Sequence, residues 1–275
     1  MTALLALCSS LLWGAADFLG GTASRRRAAL AVVAGSQAFG LLGALVLVVA
    51  TQAWGDPGGY GVPGLAAGLV GMVGLGAFYA GLATGRMGVV AAISALGLLV
   101  PVLVGLVRGD RPSALAAVGM VVAATGAVCA SGPELRSGVG RRPLALALVA
   151  ALCFGLVQVA LAEGSKHSVP MTLLVMRGTT VTLMLGLAAA RRTRGGLDRT
   201  DLRGLAAIGL CDVIANALYA QATVSGLLSV VAVLGSLYPA VTVMLARVIH
   251  HERLSRAQDL GVAAALVGVV LIAAG

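Results

Sequence analysis

Two aspartates lie inside apolar stretches of this sequence, where a charge is expensive and therefore has work to do. Asp17 follows Trp13 by four residues, one helical turn, so the two share a helix face and can form an aromatic wall beside a cation or proton site. A carboxylate facing lipid is costly. Asp17 therefore turns to a wet interior or, from near its helix end, reaches the headgroups. Asp212 sits deeper in its segment, with Asn216 one turn on and Tyr219 nearly two turns on, a stripe suited to a water-lined pathway. It can carry a proton during transport or serve as the structural partner of Arg177. Arg177 can grip a substrate carboxylate with its guanidinium fork or simply tie helices together. Gln37 and Gln158 bring donors and acceptors into apolar surroundings, where they must be satisfied, as cavity lining or as interhelical bonds. Tyr79, Tyr219, Tyr238 and Phe78 are cavity aromatics or ordinary core. Pro101 and Pro239 break the backbone ladder in mid-segment and act as hinges, carbonyl sites or static bends.

The elements that must position these residues follow from composition. The chain has 275 residues, 59% hydrophobic and only 11% charged. A soluble domain carries about a quarter charged residues, so this chain cannot cover a water-facing surface. Ten apolar segments can be laid down as membrane helices, roughly 3–20, 28–50, 62–83, 87–107, 113–130, 144–162, 169–190, 202–222, 226–249 and 257–273. The first lacks a basic flank ahead of it and resembles the others, so it reads as a retained helix rather than a signal peptide. Glycine (39 residues) is spread throughout, favouring close helix contact, as at Gly64–Gly68, Gly81–Gly85 and Gly105–Gly109. Pro112 and Pro143 fit helix starts.

The net charge of +9 is distributed between apolar runs and points to membrane topology and anionic lipid, with no nucleic acid. With the N-terminus outside, fifteen basic residues fall inside, among them Arg25–Arg27, Arg86, Arg136, Arg141, Arg142, Arg191, Arg192 and Arg253. Three fall outside: Arg108, Arg111 and Lys166. The positive-inside rule thus places both termini outside a multi-pass cell membrane, bacterial inner or plasma membrane being the expected setting. Cys8, Cys129, Cys153 and Cys211 fall in separate segments without metal or disulfide spacing. His250-His251-Glu252 is read as interface solvation, and no metal or cofactor is expected.

The segments repeat. LLWGAAD (11–17) aligns with LCFGLVQ (152–158) at an offset of 141, placing Trp13 over Phe154, Gly14 over Gly155 and Asp17 over Gln158. Pro101 and Pro239 align at 138; Gly119 and Gly126 align with Gly261 and Gly268 at 142. Both halves carry a tyrosine–alanine pair before their fourth helix (Tyr79, Tyr219). The expected fold is an all-α polytopic membrane protein of ten transmembrane helices in two five-helix units, 1–131 and 143–275. An odd helix count makes the second unit enter from the opposite side, an inverted repeat as in secondary transporters.

Trp13-Gly14, the duplicated unit, a proline in each fourth helix, and an acidic residue opening E-x-x-S/x-x-x-x-x-G (Glu252 to Gly261; Asp110 to Gly119) resemble the EamA-type family of the drug/metabolite transporter superfamily. Arg177 is similar to an arginine such proteins often carry on the second helix of a repeat. The resemblance covers nearly the whole chain. It implies ten helices, a central cavity between the halves, with helices 1, 3, 4, 6, 8 and 9 around it, and movement, often export, of amino acids, small metabolites or drugs. It also implies termini inside, against the charge count. Pro101 stands nine residues before Asp110 and Pro239 thirteen before Glu252, so the first unit reads as one helical turn shorter.

Function therefore reads as a secondary transporter that exports a small metabolite, amino acid or drug-like molecule by alternating access, with protons as the coupling ion or, alternatively, by facilitated, uncoupled export. The site residues are Trp13, Asp17, Gln37, Tyr79, Pro101, Gln158, Arg177, Asp212, Asn216, Tyr219 and Pro239. No phosphate-binding loop or nucleophile–base set marks an enzyme. The rival reading is a non-transporting membrane assembly or sensor protein with a closed core.

Overall fold

The computed structural model describes residues 1–84, 87–130, 140–190, 196–250 and 256–275. Its α-helices are α1 (Thr2–Ser24), α2 (Ala29–Thr51), α3 (Gly61–Thr84), α4 (Met87–Ala95), α5 (Leu99–Val107) and α6 (Ala114–Ala130). They continue as α7 (Arg141–Ser165), α8 (Val169–Ala190), α9 (Leu202–Ser225), α10 (Leu228–Gly235), α11 (Tyr238–His250) and α12 (Arg256–Ala274). Among the described residues there is no strand. Six helices, α1, α2, α3, α7, α8 and α9, are long and apolar enough to cross a bilayer; the remainder are shorter.

Two expected helices are divided. The segment 87–107 is interrupted by a 3-10 turn at Leu96–Leu98, and 226–249 is interrupted at Ser236 and Leu237. The cause is local. A proline has no N–H to donate and its ring clashes with the carbonyl four residues back. Those residues are Gly97 for Pro101 and Gly235 for Pro239, and each break falls between the glycine and the proline or directly beside them.

Both faces of most helices are apolar, so side-chain size decides which face turns inward. Leu42, Val46 and Val49 of α2 are exposed, while Gln37, Gly40, Ala44 and Val48 are buried. On α7, Leu148 and Leu152 point out, whereas Ala147, Ala150, Ala151 and Gly155 are buried. Large side chains thus meet the region lipid would occupy, and small ones let backbones approach. Gly64 and Gly68 seat α3 against Thr172, Met176 and Thr179 of α8. Gly119 and Gly126 face Gly268 and Gly261 of α12. Gly109, by contrast, lies beyond α5 with φ +102°. It is a turn residue rather than the end of a packing motif, and Gly85 lies outside the described residues.

The strongest packing runs between the two halves of the sequence. α1 packs on α9 and α11, and α7 packs on α3 and α4; α2 and α8 touch each other, as do α6 and α12. The halves are interleaved, not set side by side. This interleaving also corrects the proline alignment. Gly14 rests on the Tyr238 carbonyl and the Val241 side chain, while Gly155 rests on the Gly97 carbonyl and the Val100 side chain. Those contacts keep the 141-residue spacing of Gly14 and Gly155. Pro239 therefore sits three residues before the position matching Pro101, about 4.5 Å along a helix. A kink displaced by three residues accounts for most of the four-residue difference in spacing to the following acidic residue. Asp110 accepts a hydrogen bond from the Ser229 N–H at 2.8 Å, which anchors the start of α10. Glu252, His251, Arg86, Arg136, Arg191, Arg192, Arg194 and Arg253 lie outside the described residues.

Candidate functional site

A partly open cavity lies where α1, α2, α3, α7, α8, α9 and α11 converge. Of the residues singled out from sequence, Trp13, Asp17, Gln37, Gln158, Arg177, Asp212 and Asn216 line it. Tyr219 is buried just behind, donating to Gln158 Oε1 at 3.3 Å and lying against Trp13 with ring centroids 5.4 Å apart. Tyr79 is buried and does not line the cavity; it lies beside Phe78 and is pressed on Gly20. Pro101 and Pro239 do not line it. Their effect is indirect, because the break before Pro239 leaves the neighbouring Tyr238 facing the cavity.

Arg177 and Asp212 form the polar centre. Arg177 Nη1 is 3.1 Å from Asp212 Oδ2, and the same nitrogen donates to Gln37 Oε1. Gln37 Nε2 donates in turn to Asp212 Oδ2 at 3.0 Å, closing a three-residue ring across α2, α8 and α9. Asn216 adds a donor to Asp212 Oδ1 at 2.9 Å and another to its carbonyl at 2.7 Å. Asp212 is thus held by three side chains. A paired, hydrogen-bonded charge is the form in which a charge survives burial. Arg177 Nε and Nη2 are sealed in protein without a hydrogen-bond partner among the described residues, and Nε lies over the backbone of Gly40.

Asp17 differs. It is 8% exposed and lines the cavity, yet no hydrogen bond reaches its carboxylate from the described residues. α1 is positioned by Ser9, which donates to the Ala215 carbonyl at 2.8 Å, and by Thr242, which donates to the Gly14 carbonyl at 3.2 Å. Those bonds dock α1 on α9 and α11 and aim the Trp13–Asp17 face inward. Phe154 and Thr180 also line the cavity, with Phe154 edge-on to Phe78 at 5.3 Å. Neither was among the expected site residues, although Phe154 matches Trp13 in the repeat. Thr180 lies three residues after Arg177 on the same face of α8, a signal the spacing already carried.

Helices long and apolar enough to span a bilayer, an outer surface of large apolar side chains and a buried polar cavity define a multi-pass integral membrane protein. Residues 141–274 match the model of the EamA-like transporter family. That stretch, just under half of the chain, is similar to the EamA-like transporters of the drug/metabolite transporter superfamily. No curated protein matches the chain. A solved protein crystal structure 17% identical in sequence superposes with a TM-score of 0.75, covering 98% of this chain and 95% of that one. At that identity the likeness carries the fold, and it extends over both halves.

Proposed function

We propose that this protein is a secondary transporter that exports a small metabolite, amino acid or drug-like molecule by alternating access through the central cavity. The observation that carries the reading is the convergence of Asp17, Gln158, Asn216 and the Arg177–Asp212 pair on one cavity rather than in dry, separate contacts. A closed core, as a purely structural or sensor protein would have, does not need it. The repeated packing supports ten crossings in two inverted five-helix units, 1–131 and 143–275, with both termini outside by charge.

The interleaving suggests what moves. α1, α9 and α11 form one wall and α3, α7 and α8 the other, so each rocking body draws helices from both sequence halves. Ionic contacts also join the two sequence halves at two places. Arg27 Nη2 is 2.6 Å from Asp198 and 3.1 Å from Asp201. Glu163 binds Arg108 at 2.5 Å.

Protons are the coupling ion in this reading. Asp212, occupied by three donors, serves as the partner of Arg177, which leaves Asp17 as the carboxylate available to carry a proton. Proteoliposomes with an imposed pH gradient test it. Wild-type protein should show gradient-driven substrate flux and Asp17→Asn should abolish the dependence on pH. Gradient-driven flux that is unaltered in Asp17→Asn overturns the assignment.

A further inference from the structure

The charges lining the cavity do not balance, and the imbalance names a class of substrate. Asp17, Arg177 and Asp212 are the ionisable groups of opposite sign in the lining. Arg177 and Asp212 neutralise each other at 3.1 Å. Asp17 remains, with neither a basic residue nor a hydrogen-bond donor on it among the described residues. Asp17 is therefore the one acidic or basic residue of the lining without a counter-charge among the described residues, and in a low-dielectric setting its charge is costly until a proton or a cation arrives.

The repeat shows that the fold does not demand these charges. Asp17 corresponds to Gln158, so an uncharged side chain serves at the matching point of α7. Carried through the 141-residue spacing, Asp212 corresponds to Gly71, also in the lining. Gly68 on Met176 and Thr179 and Gly209 on Ser36 and Phe39 repeat one contact with α2 and α8 set 140 apart. That register puts Gln37 opposite its own counterpart, Arg177. All three charges were placed on one member of a pair whose other member is neutral.

Beside Asp17 lie aromatic faces. Trp13 is one turn back on the same helix, and Phe154 and Tyr238 face the same space. An aromatic face attracts a cation and excludes an anion. The alternative anchor, a substrate carboxylate on Arg177, lacks access, since Nε and Nη2 are sealed and Nη1 is occupied.

Resting on the transporter reading, we infer that the cavity takes an organic monocation: a protonated amine on an apolar or aromatic body, its charge on Asp17 and its body against Trp13 and Phe154. Arg177 and Asp212 are positioning residues whose mutual neutralisation sets the sign of the site.

The test is equilibrium binding to purified protein in nanodiscs, with one phenyl scaffold carrying different charges: phenethylammonium, phenethyl alcohol, 3-phenylpropionate and the zwitterion phenylalanine. Wild type should bind the ammonium at least tenfold more tightly than each of the other three. Asp17→Asn should erase the preference for ammonium over alcohol. Asp212→Asn, which leaves Arg177 unbalanced, should move affinity toward the propionate. Opposite responses of two aspartate-to-asparagine variants cannot arise from general misfolding, and the wild-type series stands even if a variant fails to fold. Tighter binding of propionate or phenylalanine than of ammonium overturns the inference, as does an unchanged preference in Asp17→Asn. Vesicle flux separates the two readings. Ammonium preference in binding without flux sinks transport and keeps the charge assignment; flux without that preference does the reverse.

Discussion

The two walls of the cavity are built alike and chemically unlike. The α1–α9–α11 wall carries both carboxylates, Asp17 and Asp212, with Asn216; the α3–α7–α8 wall carries Gln158, Phe154 and the arginine, with Gly71 where the other has Asp212. α1 and α7, one helix from each wall, are packed the same way. Gly14 lies on Tyr238 and Val241 in one, and Gly155 lies on Gly97 and Val100 in the other. The difference teaches that helix-to-helix fit and polar chemistry were varied independently. Small residues at the contacts hold the geometry, and the polar positions can then differ without disturbing it.

The largest effect should come from the bond that joins the walls. Arg177→Met leaves Asp212 as a buried charge without its ion pair, and breaking such a pair costs about 3–5 kcal/mol. The thermal midpoint of the detergent-purified protein should fall accordingly. Arg177→Met with Asp212→Leu should recover part of the loss, because a matched apolar pair replaces a matched ionic one. A double variant no better than the single would show that Asp212 is held chiefly by Gln37 and Asn216.

A smaller effect tests the likeness itself. A Cβ on Gly14 would lie 2.8 Å from the Tyr238 oxygen, and one on Gly155 would be 2.7 Å from Val100 Cβ and crowd the Gly97 oxygen. Neither backbone can yield easily, so Gly14→Ala and Gly155→Ala should each cost about 1–3 kcal/mol by overpacking. Denaturation of the two variants side by side should give similar losses. One variant behaving as wild type would break the equivalence of the walls.

The smallest effect lies at the surface. Asp198 binds Arg27 but is 65% exposed in its side chain. That hydrogen bond holds the Arg27 guanidinium above its usual value, further favouring its charged form. Exposed pairs add little to stability and are screened by salt. Asp198→Asn should leave the thermal midpoint unchanged at low and high salt alike. A midpoint that falls at low ionic strength would show that the pair carries more than its exposure implies.

Much of this was readable in advance. Helical periodicity places Trp13 with Asp17, and Asp212 with Asn216, whatever the surroundings. Those four are among the seven proposed residues that line one cavity. The absence of Tyr79 and the two prolines from its lining was not readable. Both faces of α3 are apolar, so periodicity does not reveal which one turns to the cavity, and a proline's bend shows in sequence without its depth.

The amino-acid sequence by itself determined the apolar segments, their breaks at Pro101 and Pro239, and which polar side chains share a helix face. These depend on backbone sterics and on spacing within a single helix. Only the tertiary structure decided that the halves interleave, that the two kinks sit a turn apart, and that Arg177 is spent on Asp212 while Asp17 is left without a counter-charge. Partners across a bundle are fixed by how closely small residues let backbones approach. That is a property of helix pairs, and no single segment contains it.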